Sequence, residues 1–182
     1  MLDVLAKLIK KISVGSKIFE LCLYADNEIY EELGKVYNKK ATFKGLAFPT
    51  TISVNEVCAY NSPLLEDSTN IKEGDLVKID LGVHIDGFAS FVAHTLVVQS
   101  DKNAPVTGKK AEVILAAYKA IQASLRLIKP GHTNTQVTEL IQSVADAYQV
   151  NPVEGLLSHE LKKHLFDGNK VILNKQTFDQ KA

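Results

Sequence analysis

The sequence predicts a mixed α/β fold, and three observations carry that expectation. Two stretches, 17–37 and 110–128, space their apolar residues as helices do. A third, 75–98, reads as two β-rich runs joined at Asp86-Gly87. The 182 residues suit a single domain over 1–182 with a real core.

The elements follow in chain order. In MLDVLAKLIKKI, Leu2, Leu5, Leu8, Ile9 and Ile12 fall at helical spacing with Lys7, Lys10 and Lys11 between them. This pattern also suits a membrane-surface helix or a transit peptide. A core-packing helix is preferred, because no small-residue cleavage site follows and acidic residues come soon after. The second helix should run from about Lys17 to Tyr37, with Ile18, Leu21, Cys22, Ala25, Ile29, Leu33 and Val36 as its apolar stripe. A short basic loop, Asn38 to Gly45, carries Lys39, Lys40 and Lys44.

Residues 46–60 hold Pro49 and the β-rich run TISVNEVCAY. The KEGD sequence ending at Asp75 is a turn signal before a strand. In DLVKIDLGVHIDGFASFVAHTLVV, a two-residue loop at Asp86-Gly87 favours a type I′ turn. That loop pairs Ile85 with Phe88, Gly82 with Phe91 and Asp80 with Ala93. Helices are expected from Lys110 to Ile128, stopped by Lys129-Pro130-Gly131, and from a Thr133/Gln136 capping box to about Tyr148. Short strands are expected near Val153 and near Val171–Leu173.

Composition narrows function mainly by exclusion. Lys+Arg and Asp+Glu balance at 21 each, so nothing global favours nucleic acid or an anionic membrane. Any basic patch must be local. Cys22 and Cys58 form no ligand-like cluster, which argues against a disulfide framework or zinc ribbon and suits a reducing compartment. No apolar run is long enough to span a membrane. No GxGxxG or P-loop pattern occurs, and no Ser/His/Asp or Cys/His arrangement is recognisable.

Asp80 is the residue that asks for an explanation. It lies between Ile79 and Leu81 in an apolar strand, where a carboxylate is costly unless hydrogen-bonded, paired or bound to metal. A structural, hydrogen-bonded Asp and a metal ligand both remain open from the residue alone. The expected register sets Phe91 diagonal to Asp80 on the same face. A second carboxylate there would help grip a metal pair, and Phe91 has no donor oxygen. His159 to His164 reads HExxxH, not HExxH. On a helix the two imidazoles would stand about 140° apart, so a zinc-protease motif is rejected. Lys39-Lys40 and Lys162-Lys163 read more readily as solvated faces than as phosphate contacts.

Four segments together resemble one family: GLAFPTTISVNEVCAYNSP, IKEGDLVKIDLGVHIDGFASFVAHTLVV, the KPGHTNTQVTELI helix start and VEGLLSHELKKHLFDG. They are similar to the proliferation-associated, ErbB-receptor-binding proteins, non-peptidase relatives of type 2 methionine aminopeptidase. The resemblance covers nearly the whole chain. It implies a pita-bread fold, classed α/β or α+β: a curved antiparallel sheet with helices on its outer face, here with the C-terminal half incomplete, as in a truncated member.

The resemblance also assigns site positions. Asp80 falls on the first aspartate ligand of the active peptidases, Phe91 on the second and His159 on the histidine ligand. Tyr60 falls on the histidine that contacts substrate. The two glutamate ligands would fall beyond Ala182. Such a degenerate set implies no catalytic residues, no metal and no cofactor. Without its partner ligands it cannot form the bridged two-metal site that activates water.

The implied function is that of a pseudoenzyme acting as a ribosome- or structured-RNA-associated binding protein in growth regulation and ribosome biogenesis or translation. It would have protein partners, no membrane partner, and a cytoplasmic location extending to nucleus and nucleolus. Lys39, Lys40 and Lys44 are the expected RNA contacts. The alternatives are a metal-dependent methionine aminopeptidase acting on nascent chains, and a protein-interaction module or nonfunctional fragment.

Overall fold

The computed structural model describes residues 1–38, 41–66 and 69–177. Contacts cluster in two compact units. The first is Met1–Pro105 with Lys162–Phe166, and the second is Val106–Leu161 with the residues from Asp167 onward.

The first unit is a three-stranded antiparallel sheet backed by two helices. Its elements are α1 (Leu2–Lys11), α2 (Ile18–Gly34), β1 (Lys44–Val54), β2 (Leu76–Ile85) and β3 (Phe88–Val97), and the strand order is β1-β2-β3. Period-two alternation along β2 divides its residues between two faces. Val77, Ile79 and Leu81 turn to the helices and join Ile52, Val4, Leu8, Ile18, Leu21, Ala25 and Ile29 in one core, each almost fully buried. Leu5, Leu8 and Ile12 of the N-terminal stripe therefore pack inward, as the core reading of that segment requires, with Ile9 partly buried, whereas Leu2 is exposed. Asp80, Gly82 and His84 take the opposite face.

Helix α2 stops at Gly34, short of the expected Tyr37. Lys44 supplies the reason. Its ammonium donates to the carbonyls of Leu33 (2.6 Å) and Val36 and to Oδ1 of Asn38 (2.7 Å). The Leu33 carbonyl otherwise accepts only a long bond from the Val36 N–H (3.4 Å) among the described residues, and a cation at a helix C-terminus is favoured by the dipole as well.

Strand β1 is less regular than β2. Its ladder slips between Leu46 and Phe48 and again between Phe48 and Thr51, around Pro49, which has no N–H to give. The Thr50 N–H reaches Asp26 Oδ1 of α2 at 2.9 Å instead. Beyond Val54 the expected β run ends. Asn55 turns to φ 51°, its N–H bonds the Leu76 carbonyl, and its side chain holds the Leu76 N–H and Asp75. Residues 55–60 are therefore a turn and loop and not strand.

The β2–β3 hairpin has the expected register throughout: Ile85 opposite Phe88, Gly82 opposite Phe91, Asp80 opposite Ala93. Asp86 (φ 51°) and Gly87 (φ 79°) both take positive φ, as a type I′ turn needs.

The second unit holds α3 (Gly108–Leu127), α4 (Asn134–Ala147), β4 (Leu157–His159) and β5 (Val171–Leu173). Thr133 caps α4 through the predicted box: Gln136 N–H donates to its hydroxyl, and its own N–H donates to Gln136 Oε1. The expected strand near Val153 is absent. That stretch is irregular, and the strand begins later, at Leu157, where it pairs with β5. His159 sits on this strand, so the 159–164 segment is no zinc-binding helix.

Candidate functional site

The face of the β2–β3 hairpin turned away from α1 and α2 carries the residues singled out in the sequence. Asp80 is half-buried there, facing Thr51 of β1 on one side and Ala93 of β3 on the other. Burial pushes its carboxyl pKa above the ordinary value, and a hydrogen bond from the Leu81 N–H offsets only part of that. Among the described residues, no cationic group contributes to its shift.

Phe91 occupies the diagonal position, and it is packed. Its ring meets Phe48 edge-on at 5.1 Å between centroids and Phe166 edge-on at 6.1 Å. Phe48 in turn lies directly over Gly82. A β-carbon on Gly82 would come within 2.3 Å of that ring, so only glycine leaves room. His84, one step further along β2, lies 5.8 Å from Phe166 and 4.8 Å from Phe43. It is buried, and its Nδ1 has no hydrogen-bond partner. The face is thus filled by rings around one carboxylate. A bridged pair of divalent cations needs converging oxygen and nitrogen donors, and the aromatic cluster does not supply them. Among the described residues, no group of three or more His, Cys, Asp and Glu is placed to hold a metal ion.

The other positions that the resemblance singled out are placed as follows. Tyr60 is 80% exposed and takes φ 63°, in a loop tied to β1 where Ile52 N–H bonds the Asn61 carbonyl and Asn61 Nδ2 returns to the Ile52 carbonyl. His159 is half-buried on β4, and its Nδ1 also has no partner. It lines a pocket of about 330 Å³ in the second unit, with His132, Thr133, Val137 and Ile172 among its neighbours. Of the three lysines read as RNA contacts, Lys39 and Lys40 lie outside the described residues. Lys44 does not extend into solvent as a free phosphate contact, because its ammonium is held by the end of α2.

Sequence reading missed the clasp on the hairpin. In the segment Lys162–Phe166, His164 N–H donates to the Gly87 carbonyl at 2.9 Å and Lys163 pairs with Asp86 at 2.8 Å. Phe166 completes the aromatic cluster. Lys163 had only the signature of a solvated face, and a contact to a residue 77 positions away leaves no mark in local pattern. Phe166 and Phe48 were missed for the same reason.

The three-stranded antiparallel sheet backed by paired helices belongs to a defined class, a protein of the pita-bread metallopeptidase fold. The chain belongs to metallopeptidase family M24, whose description matches residues 2–177. It is similar to proliferation-associated protein A of Dictyostelium discoideum, 44% identical over 174 residues, covering 95% of this chain and 45% of that protein. It is 49% identical over 161 residues to ErbB-3 binding protein 1 of Arabidopsis thaliana, covering 87% of this chain and 40% of that protein. The solved structure of a thermophilic Arx1 superposes with a TM-score of 0.89 at 31% identity, over 98% of this chain and 55% of that one. The chain thus spans about half the length of the relatives it matches.

Proposed function

We propose that this chain is a catalytically inactive member of its family and acts as a ribosome- or RNA-associated binding protein. The observation that carries the reading is Phe91. Where the resemblance calls for a second carboxylate ligand, the chain packs an aromatic ring against Phe48 and Phe166. Removing such a ring would cost the cluster its packing, so the cluster is built for stability at a position where a peptidase needs an open, polar site. Asp80 and His159 are the two retained ligand positions, and Tyr60 stands in place of the substrate histidine. A relative named as an ErbB-3 binding protein supports a role in binding a protein partner.

The ribosomal and RNA role rests on resemblance to the proliferation-associated proteins, and the neutral overall charge requires that any such contact be local. Sedimentation through a sucrose gradient tests it. The chain should co-migrate with ribosomal particles at low salt and be released as salt rises. A chain that stays at the top of the gradient at every salt concentration overturns the ribosomal reading. Hydrolysis of a methionyl peptide in the presence of cobalt or manganese overturns the inactivity.

A further inference from the structure

We propose that Asp86-Gly87 is a modification site of this chain, a guarded Asp-Gly pair that converts to isoaspartate when the clasp of Lys163 and His164 lifts. Asp-Gly is prone to this reaction because glycine puts no side chain in the way of ring closure. The sequence holds the pair twice, at Asp86-Gly87 and at Asp167-Gly168.

The reaction needs no reagent but water. The Gly87 nitrogen attacks Cγ of the Asp86 carboxylic acid, the N–H proton and the carboxyl OH leave as water, and a five-membered succinimide closes. Water then opens one of its two carbonyls. Opening at Cγ restores aspartate. Opening at the main-chain carbonyl leaves the chain running through Cγ, with the former main-chain carbonyl as a free carboxylate.

The two pairs are held differently. The Gly168 N–H donates to the Glu160 carbonyl at 3.0 Å, so that nitrogen is engaged. Among the described residues, no acceptor takes the Gly87 N–H. Its restraint comes from the groups around it. The Asp86 N–H donates to the Phe43 carbonyl at 2.6 Å, and the His164 N–H donates to the Gly87 carbonyl at 2.9 Å. The His164 ring covers Gly87, where a β-carbon would collide with it. These contacts keep both residues at positive φ, and the Gly87 nitrogen reaches Cγ only if the peptide plane between them rotates out of the turn. Lys163 acts on the carboxyl itself. Its ammonium, 2.8 Å from Oδ2, holds the Asp86 acid below its ordinary value by hydrogen bond and charge. The carboxylate is a poor electrophile, so this pairing suppresses the reactive neutral form.

The product alters the fold locally. Isoaspartate adds a methylene to the main chain of a loop whose two-residue length sets the β2–β3 register, so Ile85 and Phe88 no longer close the hairpin as they do now. Its free carboxylate is the group that an isoaspartyl-directed carboxyl methyltransferase recognises, and that is the class of enzyme the opened site takes.

The experiment holds the whole chain near neutral pH beside a free peptide spanning His84 to Ala89. Isoaspartate at each Asp-Gly pair is followed by peptide mapping and by methyl labelling with an isoaspartyl methyltransferase. The parent should convert at Asp86 more slowly than the peptide and faster than at Asp167. Lys163→Gln should speed conversion at Asp86 by about two- to fivefold, the range that an exposed ion pair commands, and leave Asp167 unchanged. Lys163→Arg keeps the cation and should keep the slow rate. Asp86→Glu keeps the carboxylate but cannot close a five-membered ring, and should abolish the mark on this turn. A parent that converts at Asp86 as fast as the peptide, or more slowly than at Asp167, overturns the proposal. So does Lys163→Gln converting at the parental rate. Acceleration at Asp86 and Asp167 alike would trace the effect to loss of fold and would equally overturn the clasp as the guard.

Discussion

Phe48 lies over Gly82 so closely that a β-carbon there would fall 2.3 Å from its ring, and Gly82 is the residue directly opposite Phe91. The three positions form one packing unit. Gly82→Ala should force Phe48 aside and disturb its edge-on contact with Phe91, costing about 1–2 kcal/mol despite the better strand propensity of alanine. Urea unfolding measures this. In a Phe48→Ala background the same substitution should cost nothing. An equal loss in both backgrounds would show that the ring contact is not the cause.

The aromatic filling also bears on metal. Asp80 has Phe91 as its diagonal neighbour, and a single half-buried carboxylate binds divalent cations weakly. Calorimetric titration with cobalt or manganese should show no micromolar site. Tight binding that disappears in Asp80→Ala would refute this.

Asp80 should still register in the pH dependence of stability. Its carboxyl is raised above the ordinary 3.8, chiefly by burial. A raised carboxyl binds its proton more tightly in the folded state. Its contribution is therefore most favourable below about the unfolded pKa and declines as pH rises through the folded pKa. Asp80→Asn keeps the shape and removes the titration. The melting temperature of this variant relative to the parent should be higher at pH 7 than at pH 3. A difference between variant and parent that does not change with pH would contradict the assignment.

The hairpin register followed from Asp86-Gly87, because a two-residue loop admits only one pairing, and the residues sharing a face followed from that. The α4 cap was readable for a similar local reason: Thr133 and Gln136 stand three apart. The filling of the site face was not. Phe48, Phe91 and Phe166 come from three distant segments, and no local spacing announces that their rings meet. The early end of α2 was hidden in the same way, since it depends on Lys44 reaching back to Leu33. The β run beyond Val54 misled because Val57 and Tyr60 have strand-like side chains, while Asn55 turns the backbone.

That placement of Lys44 changes what the basic loop can do for RNA. Its ammonium makes three hydrogen bonds at the end of α2, so drawing it onto a phosphate would leave the Leu33 and Val36 carbonyls without this donor. Lys44→Met should therefore lower stability, by about 1–2 kcal/mol, with little effect on the salt dependence of RNA binding. Lys39 and Lys40 carry the phosphate contact in this proposal. Each contact releases counterions, so the double variant Lys39→Gln/Lys40→Gln should flatten the log–log salt slope by about 1.4 to 1.8 units and weaken all RNA sequences alike. Filter binding to ribosomal RNA across a salt series, with urea unfolding of each variant alongside, separates the two roles. An unchanged slope in the double variant would remove this loop as the contact. A slope that flattens in Lys44→Met at unchanged stability would reassign Lys44 from the helix end to the RNA.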